Sequence, residues 1–424
     1  MSSEADLDAD IKTLSILAEH AELYEDFAKL GCAGSLVSLL SHENTDIAID
    51  AIEIINELTD DNVNAEQHQW DFLVDALVDA DLLTLLYDNV TRMDEELDSD
   101  RAGIYHILNV LENLSSRAPL MTDVGTKTKF LPWLLTRARK IEATTSQNKQ
   151  YSAEILAILL QSSSEMRTKF LSLDGVDICL QLVSPFRKKD PAKGSDEEEW
   201  MENIFDCLVC CVDDLDGKDK FADAEGVELS LIMLREGKAS KPPALRLLDH
   251  ALGGVSGGRC CTQVVDAAGL KAIFTLLAKK PDRASTEHLV GILASLLRSL
   301  PAESDQRIRL LAKFNENDWR VIDKLMQIRR ELSSGIAVVD KDIAAERADL
   351  PVNELDRMSD EWLSRRLDAG LFTLQTVDTI LAWLIAEDQS AEQTVVKLLA
   401  EKGEDLEVIK KTLQGEPSKF PILP

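Results

Sequence analysis

A short apolar signature recurs along this chain at nearly constant intervals and constrains the fold more than any other feature. In each copy, a small residue precedes an amphipathic helical segment that finishes in a leucine-rich turn. The six copies end at Leu40, Leu86, Leu135, Val183, Leu234 and Leu277. Successive copies therefore lie 46, 49, 48, 51 and 43 residues apart, and a weaker seventh ends near residues 325–326. An unrelated helical bundle would have no reason to keep such spacing, so the sequence predicts stacked units of one kind.

Each signature is followed by a loop and a second apolar helix. After the first copy, Asn44 or Thr45 can cap a helix whose apolar residues recur every three or four positions over residues 47–58. Such a helix pair cannot bury its apolar face alone, so neighbouring units must stack to form a continuous core. The period is that of armadillo and HEAT units. We therefore predict an all-α, armadillo/HEAT-like right-handed superhelical solenoid with a C-terminal helical cap.

The repeats are predicted to occupy residues 1–302 in about six units, with an exposed polar insertion at 184–199. Residues 303–415 are predicted to form a C-terminal repeat and capping helices. Within them, leucines at helical spacing over residues 363–384 indicate one strong helix. Residues 416–424 contain three prolines and are predicted to be a loose tail.

Negative charge is concentrated at the beginning of the chain. Residues 1–100 hold 26 Asp or Glu against three Lys or Arg, whereas the other 324 residues hold 50 against 43. Such a surface repels nucleic-acid backbones and anionic membranes and attracts basic partner segments. No apolar run approaches the ~20 residues of a membrane span, and no secretory signal opens the chain. Seven scattered cysteines argue against a disulfide framework. We therefore expect a soluble intracellular protein that binds neither nucleic acid nor membranes directly.

Motifs for catalysis or metal binding occur only out of context. Residues 254–258 match the G-x-S-x-G elbow of hydrolases, which needs a preceding strand, yet an apolar helical segment precedes them. Cys207, Cys210 and Cys211 share one helix face but lack a second ligand pair at zinc spacing. The acidic runs do not fit an EF-hand, and no glycine-rich phosphate loop is present. The sequence predicts a protein that is not an enzyme and uses no metal or cofactor.

The candidate partner-binding residues lie on the predicted second helices. In armadillo arrays the later helix of each unit lines a groove, and its exposed polar residues are natural contacts for an extended peptide. These residues are Asn56, Glu57, Asp60, Glu112, Asn113 and Gln161. Amides suit hydrogen bonds to a peptide backbone, and carboxylates suit Lys or Arg side chains. The alternative role for any one of them is that of a helix cap or a solvated helix end.

Several segments resemble the beta-catenin-like protein 1 family, in the expected order along the chain. They are residues 41–60, 74–79, 152–161, 314–318 and 365–372. The resemblance implies a nuclear armadillo-repeat protein associated with the spliceosome in pre-mRNA splicing, through the NineTeen complex and its cell-division-cycle-five-like subunit. It also implies recognition of basic, nuclear-localisation-like segments of splicing proteins, which agrees with the acidic end. Family members usually begin with a long charged segment carrying a basic localisation signal, whereas here the repeats begin almost at once.

A nuclear import adaptor of the importin-alpha type is the alternative function. Such adaptors carry Trp followed by Asn four residues later on their groove helices, and none of the six Trp here has Asn at that position. We therefore favour a nuclear, non-enzymatic scaffold that binds basic segments of splicing proteins through an acidic N-terminal groove. The sequence leaves open whether the C-terminal helices form a homodimer.

Overall fold

The computed structural model describes residues 2–349 and 351–414, and in these ranges the chain is helical without a single strand. The predicted tail, 416–424, lies outside the described residues. The chain divides into two compact units, Met1–Lys220 and Phe221–Pro424. The division falls within one short helix rather than at the predicted change of organisation after residue 302.

The first unit contains one leading helix and four sets of three helices. They are α1 (Ser2–Thr13), α2 (Tyr24–Lys29), α3 (Cys32–Ser38), α4 (Thr45–Thr59), α5 (Gln67–Asp79), α6 (Leu82–Arg92), α7 (Asp98–Asn113), α8 (Ala118–Lys127), α9 (Phe130–Ala138), α10 (Gln147–Ser162), α11 (Ser164–Ser172), α12 (Gly175–Val183) and α13 (Asp196–Val212). The sets are α2–α4, α5–α7, α8–α10 and α11–α13. The next helix, α14 (Leu215–Asp223), spans the division between the two units.

The second unit continues the three-helix pattern and then changes to longer helices. Its helices are α15 (Gly226–Glu236), α16 (Lys241–Leu252), α17 (Gly258–Asp266), α18 (Leu270–Ala278), α19 (Arg283–Ser299), α20 (Asp305–Asp349), α21 (Val352–Asp368), α22 (Leu371–Glu387), α23 (Gln389–Ala400) and α24 (Glu407–Gln414). Helices α17–α19 form a set like those of the first unit. No individual helix in the described ranges is long and apolar enough to cross a membrane, although two sharply bent helix pairs would meet that criterion jointly.

All six sequence signatures coincide with the middle helix of a set or with the turn that ends it. The first ends in the 3-10 turn Leu39–Ser41 that follows α3, and the other five fall in α6, α9, α12, α15 and α18. The predicted all-α armadillo-like class is thereby confirmed. The units hold three helices rather than the predicted two, because a short helix precedes each signature.

The third helix of the first set shows how the sequence produces these elements. Asn44 caps α4, since its side-chain oxygen accepts a hydrogen bond from the Asp46 backbone nitrogen at 3.0 Å. The apolar stripe of α4 is buried along its length, as predicted. At the other end, the Leu58 carbonyl accepts a hydrogen bond from the Tyr24 hydroxyl at 2.9 Å. The Thr59 carbonyl accepts one from the Trp70 indole at 3.2 Å. Neighbouring first helices thus satisfy carbonyls that the end of α4 leaves without intrahelical partners.

Two segments differ from the sequence prediction. The single helix predicted over 363–384 is divided into α21 and α22, which meet at 63°. Gly370 lies between them with φ +101°, and a Cβ there would lie 2.6 Å from a Leu332 methyl group, so only glycine fits this corner. The predicted insertion, 184–199, is open loop only over 188–195. It begins with a 3-10 turn that buries Phe186, and its acidic run forms the first turn of α13, where the helix dipole favours negative charge.

Candidate partner-binding surface

The third helices of the first unit pack side by side, α4 against α7, α7 against α10 and α10 against α13. Their buried faces form the core, and polar and aromatic side chains gather where the helices meet at the surface. We call this set the third-helix surface. It consists of Glu53, Asn56, Glu57, Tyr105, His106, Asn109, Glu112, Asn113, Gln150, Tyr151, Glu154, Glu198, Glu199, Glu202 and Asn203.

Two predicted site residues meet at the junction of α4 and α7. The Asn113 amide nitrogen donates to the Asn56 backbone carbonyl and to the Asn56 side-chain oxygen, both at 3.2 Å. Asp60 lies just beyond the end of α4, where its carboxylate accepts a hydrogen bond from the Asn62 backbone nitrogen at 2.8 Å. Gln161 is exposed near the end of α10. The structure therefore brings Asn56 and Asn113 together, whereas Asp60 holds a local turn.

A tyrosine pair joins α7 to α10. The Tyr151 hydroxyl lies within hydrogen-bond distance of Glu112 Oε2 and Asn109 Oδ1. Burial and the neighbouring Glu112 carboxylate raise the Tyr151 pKa, so the hydroxyl keeps its proton and donates it. The Tyr105 ring lies 5.4 Å from the Tyr151 ring, measured between centroids. This predicted acid is thus held in place by a buried aromatic side chain of the next repeat.

A cavity of about 350 Å³ lies between α10 and α13. Its lining is acidic and amide-rich, from Gln150, Glu154, Glu198, Glu199, Glu202 and Asn203. The Gln150 amide nitrogen donates to Glu154 Oε2 at 2.9 Å. Glu198 is oriented at the start of α13, where it accepts a hydrogen bond from the Gly194 backbone nitrogen at 2.6 Å. The cavity therefore offers carboxylate and amide oxygens, which suit a cationic side chain.

Five glutamates of this surface lack cationic partners within the described part of the chain. None of Glu53, Glu57, Glu112, Glu154 and Glu199 forms an ion pair there. Acids on the first helices do form such pairs, for example Asp75 with Arg117 at 2.7 Å and Asp123 with Lys127 at 2.9 Å. These five glutamates therefore form a row of uncompensated negative charge.

The raised pKa values of Glu57 and Glu154 have the same cause. Burial, and then the Glu53 charge, raise the pKa of Glu57. Burial raises the pKa of Glu154, with smaller contributions from Glu112 and Glu199 that oppose the lowering effect of the Gln150 hydrogen bond. Carboxyl pKa values rise in this way where a cation is missing, because each ionised group is partly desolvated and repelled by its neighbours.

Sequence reasoning missed more than half of this surface. Glu53 could have been found from α4 alone, since it lies one helical turn before Glu57. Tyr151 and Glu154 could not, because their proximity to Glu112 depends on how α7 and α10 pack, and the contact of Tyr105 with Tyr151 depends on the same packing. The loops between repeats differ in length, and this hides equivalent positions from a reader of the sequence.

The motifs set aside in the sequence remain outside any chemical site. Residues 254–258 lie between α16 and α17, around a 3-10 turn, so the strand that a nucleophile elbow requires does not precede them. Cys207 and Cys211 are buried, and burial raises the pKa of both thiols. The described residues contain no cluster of three or more His, Cys, Asp or Glu that could hold a metal ion.

Comparison with known sequences identifies relatives along almost the whole chain. A family described as catenin-beta-like, Arm-motif containing nuclear, matches residues 1–414. The chain is 36% identical to the beta-catenin-like protein 1 homolog of Schizosaccharomyces pombe over 416 residues, covering 98% of this chain and 72% of that protein. It is 37% identical to beta-catenin-like protein 1 of Mus musculus and 36% identical to that of Homo sapiens, covering 75% of each.

Among solved structures, the crystal structure of an engineered protein superposes with a TM-score of 0.60 at 16% identity, covering 96% of this chain and 93% of that one. This likeness supports the fold alone. Family match, sequence identity and helical repeats agree: the chain belongs to the beta-catenin-like protein 1 family of armadillo-repeat proteins.

Proposed function

We propose that this protein is a scaffold that binds extended, Lys/Arg-rich segments of other proteins on its third-helix surface. The observation that carries the proposal is the row of five glutamates without a cationic partner. A basic segment would replace repulsion among Glu57, Glu112 and Glu154 by attraction. Complementary charge of this kind sets both the association rate and the choice of partner.

The geometry suits an extended chain with basic side chains. The Asn113 amide holds the side-chain oxygen of Asn56, and the Asn56 amide nitrogen is the group that would donate to a peptide carbonyl. The half-buried Tyr105 ring, backed by the buried Tyr151 ring, offers an apolar floor for the aliphatic stem of Lys or Arg. The cavity beside Glu154 and Glu199 accepts a cationic end group.

The family supplies the cellular setting of the proposal. We infer that the protein acts in the nucleus, in pre-mRNA splicing, with basic segments of splicing proteins and NineTeen complex subunits such as the cell-division-cycle-five-like protein as its partners. The support is the 36–37% identity to beta-catenin-like proteins, together with an acidic surface suited to nuclear-localisation-like segments.

Fluorescence anisotropy with a labelled peptide, Lys-Arg-Lys-Ala-Arg-Lys-Arg, tests the binding surface. Glu57→Gln and Glu154→Gln should each weaken binding about fivefold at low salt, as expected for one partly exposed charge pair. Asp75→Asn and Asp123→Asn are matched controls, because they remove acids that already have cationic partners. Equal losses in both pairs of variants would show that only net charge matters and would refute the site.

Affinity purification from nuclear extract tests the cellular role. Wild-type protein should retain splicing proteins, and a Glu57→Lys, Glu154→Lys variant should lose them. Retention of transport receptors instead would support an importin-alpha-like adaptor, and equal retention by both proteins would exclude the third-helix surface.

A further inference from the structure

A larger cavity, about 620 Å³, lies where the N-terminal ends of α10 and α13 meet the loop after α9. It is lined by Arg139, Ile141, Glu142, Lys149, Gln181, Leu182, Pro185, Phe186, Lys189, Asp196, Glu197 and Trp200, with four small residues of the loops and Ser195. Its volume is that of a site for a small ligand or for one or two side chains of a partner. Unlike the third-helix surface, it has the cations Arg139, Lys149 and Lys189 among its walls.

Lys149 is the unusual group in this cavity. Its side chain is only 9% exposed, and its ammonium group lies 4.5 Å from the centroid of the Trp200 ring. Within the described residues it forms no hydrogen bond or ion pair through that ammonium group. Burial lowers its pKa, which reflects the cost of removing the charge from water. Buried ammonium groups normally have an anionic partner.

Two of the three carboxylates in the lining are engaged elsewhere. Glu142 binds Arg137 at 3.0 Å and accepts a hydrogen bond from the Ser146 backbone nitrogen, also at 3.0 Å. Glu197 pairs with Lys189 at 3.1 Å. The charges of Glu142 and Glu197 favour the ammonium form of Lys149, but within the described residues none of the lining carboxylates, the third being Asp196, forms an ion pair with it. Lys149 therefore faces the cavity as a buried cation outside any ion pair of the described residues.

The remaining walls are apolar and firmly positioned. The Trp200 indole donates to the Ala138 carbonyl at 3.1 Å, and the Phe186 ring lies 6.1 Å from the Trp200 ring. At the rim, Ile141 is 96% exposed. A ligand confined to the cavity would leave this side chain in water, whereas a polypeptide that continues past the rim would cover it.

We propose that this cavity is a second docking site, which takes an acidic, apolar segment of a partner protein. An aliphatic or aromatic side chain would rest on Trp200 and Phe186, and an adjacent carboxylate would bind Lys149. The start of α10 adds favourable dipole charge for that carboxylate. This cavity would prefer acidic segments, whereas the third-helix surface would prefer basic ones. The two sites do not depend on each other, so the protein would hold both kinds of segment at once.

The probe is a fluorescein-labelled peptide, Asp-Asp-Ile-Phe-Asp-Asp, with binding measured by anisotropy. Lys149→Met keeps the packing of the aliphatic stem on Trp200 and should weaken binding about tenfold or more, the effect of losing one charge-assisted hydrogen bond. Ile141→Ser should weaken it several-fold. Lys127→Met is the matched control, since that lysine lies outside the cavity lining and already has a partner in Asp123. Thermal unfolding followed by circular dichroism checks that each variant is folded.

A second readout locates the peptide. With 5-fluorotryptophan incorporated, the Trp200 resonance, assigned with Trp200→Phe, should shift on addition of the probe and stay unchanged with Lys-Lys-Ile-Phe-Lys-Lys or Asp-Asp-Gly-Ser-Asp-Asp. Unchanged binding in Lys149→Met would overturn the proposal, as would a Trp200 resonance that the probe does not move. A shift caused by inorganic phosphate alone, or by raising the protein concentration alone, would assign the cavity to a free anion or to a second copy of the chain instead.

Discussion

A buried ion pair in the second unit allows a quantitative test of the structure. Arg329 on α20 donates from Nε to Asp378 Oδ1 on α22 at 2.7 Å, and both side chains are buried. Burial outweighs the attraction of Arg329 and raises the pKa of Asp378 to about 6. We expect Asp378→Leu to lower the free energy of unfolding by about 3–5 kcal/mol at pH 7, because the buried Arg329 charge loses its hydrogen-bonded carboxylate and keeps the more distant Glu404 at 3.9 Å. Arg329→Met combined with Asp378→Leu should be close to neutral or more stable than wild type.

The same pair predicts a pH dependence of definite sign. Asp378 has a higher pKa folded, about 6, than unfolded, 3.8, so the folded chain binds the proton more tightly. Its contribution to stability is fully present below the unfolded pKa and is lost as pH rises through the folded pKa. That difference amounts to about 3 kcal/mol. When the pH is raised from 4 to 7, the free energy of unfolding of the double variant should therefore increase by about 3 kcal/mol relative to that of wild type.

Urea unfolding at a series of pH values, followed by circular dichroism, measures both effects. Removing the exposed pair of Lys410 and Glu407 provides the control and should change stability little at any pH. A single-variant loss below about 1 kcal/mol would show that Arg329 finds another partner or is hydrated. If the free energies of unfolding of wild type and the double variant changed in parallel with pH, Asp378 would not titrate in this range, and the reasoning would be refuted.

Three further outcomes follow from the first unit. Gly175→Ala places a Cβ 2.4 Å from the Phe170 ring and should lower the free energy of unfolding, measured with urea, by about 1–3 kcal/mol. As the control, Gly34→Ala should be neutral or stabilising, because the new Cβ would meet its nearest atom at an ordinary contact distance of 3.8 Å. Basic-peptide binding should weaken as pH falls through the raised pKa values of Glu57 and Glu154. At mildly acidic pH, binding should also release protons, so the binding enthalpy measured by calorimetry should depend on the buffer. A binding enthalpy that is the same in all buffers would contradict this. Tyr151→Phe removes the hydrogen bond that holds Glu112, so it should change basic-peptide affinity, measured by anisotropy, without a large loss of stability. A large drop in melting temperature with unchanged affinity would show that the hydroxyl has only a structural role.

The repeat was accessible from sequence because each unit must place the same apolar face against its neighbour. The signature ending at Leu135, for example, lies in α9 as its spacing required. The third helix in each set was harder to recognise, since the first helices are short and α2 spans only Tyr24–Lys29. The corner at Gly370 was missed because the apolar spacing continues across it, while the break comes from backbone geometry.

The candidate surface was only partly predictable. Asn56 and Asn113 were selected for their places on helices, and their contact across repeats emerged from packing. Glu57 was selected without its neighbour Glu53, although one helix carries both. Tyr151 follows from no local pattern, since its importance comes from reaching Glu112 on another helix. Sequence periodicity fixes which face of a helix points outward, but not which outward residues of different helices meet.

The side-by-side third helices also set a length scale for whatever lies across them. Packed helix axes are about 8–10 Å apart, and an extended chain rises about 3.3 Å per residue. A segment crossing α4, α7, α10 and α13 therefore advances about two to three residues from one helix to the next. In the proposed binding mode, the surface would distinguish partners by the interval between their basic residues as well as by their number. Two segments of equal charge but different spacing would then be told apart, which a diffuse acidic patch could not do.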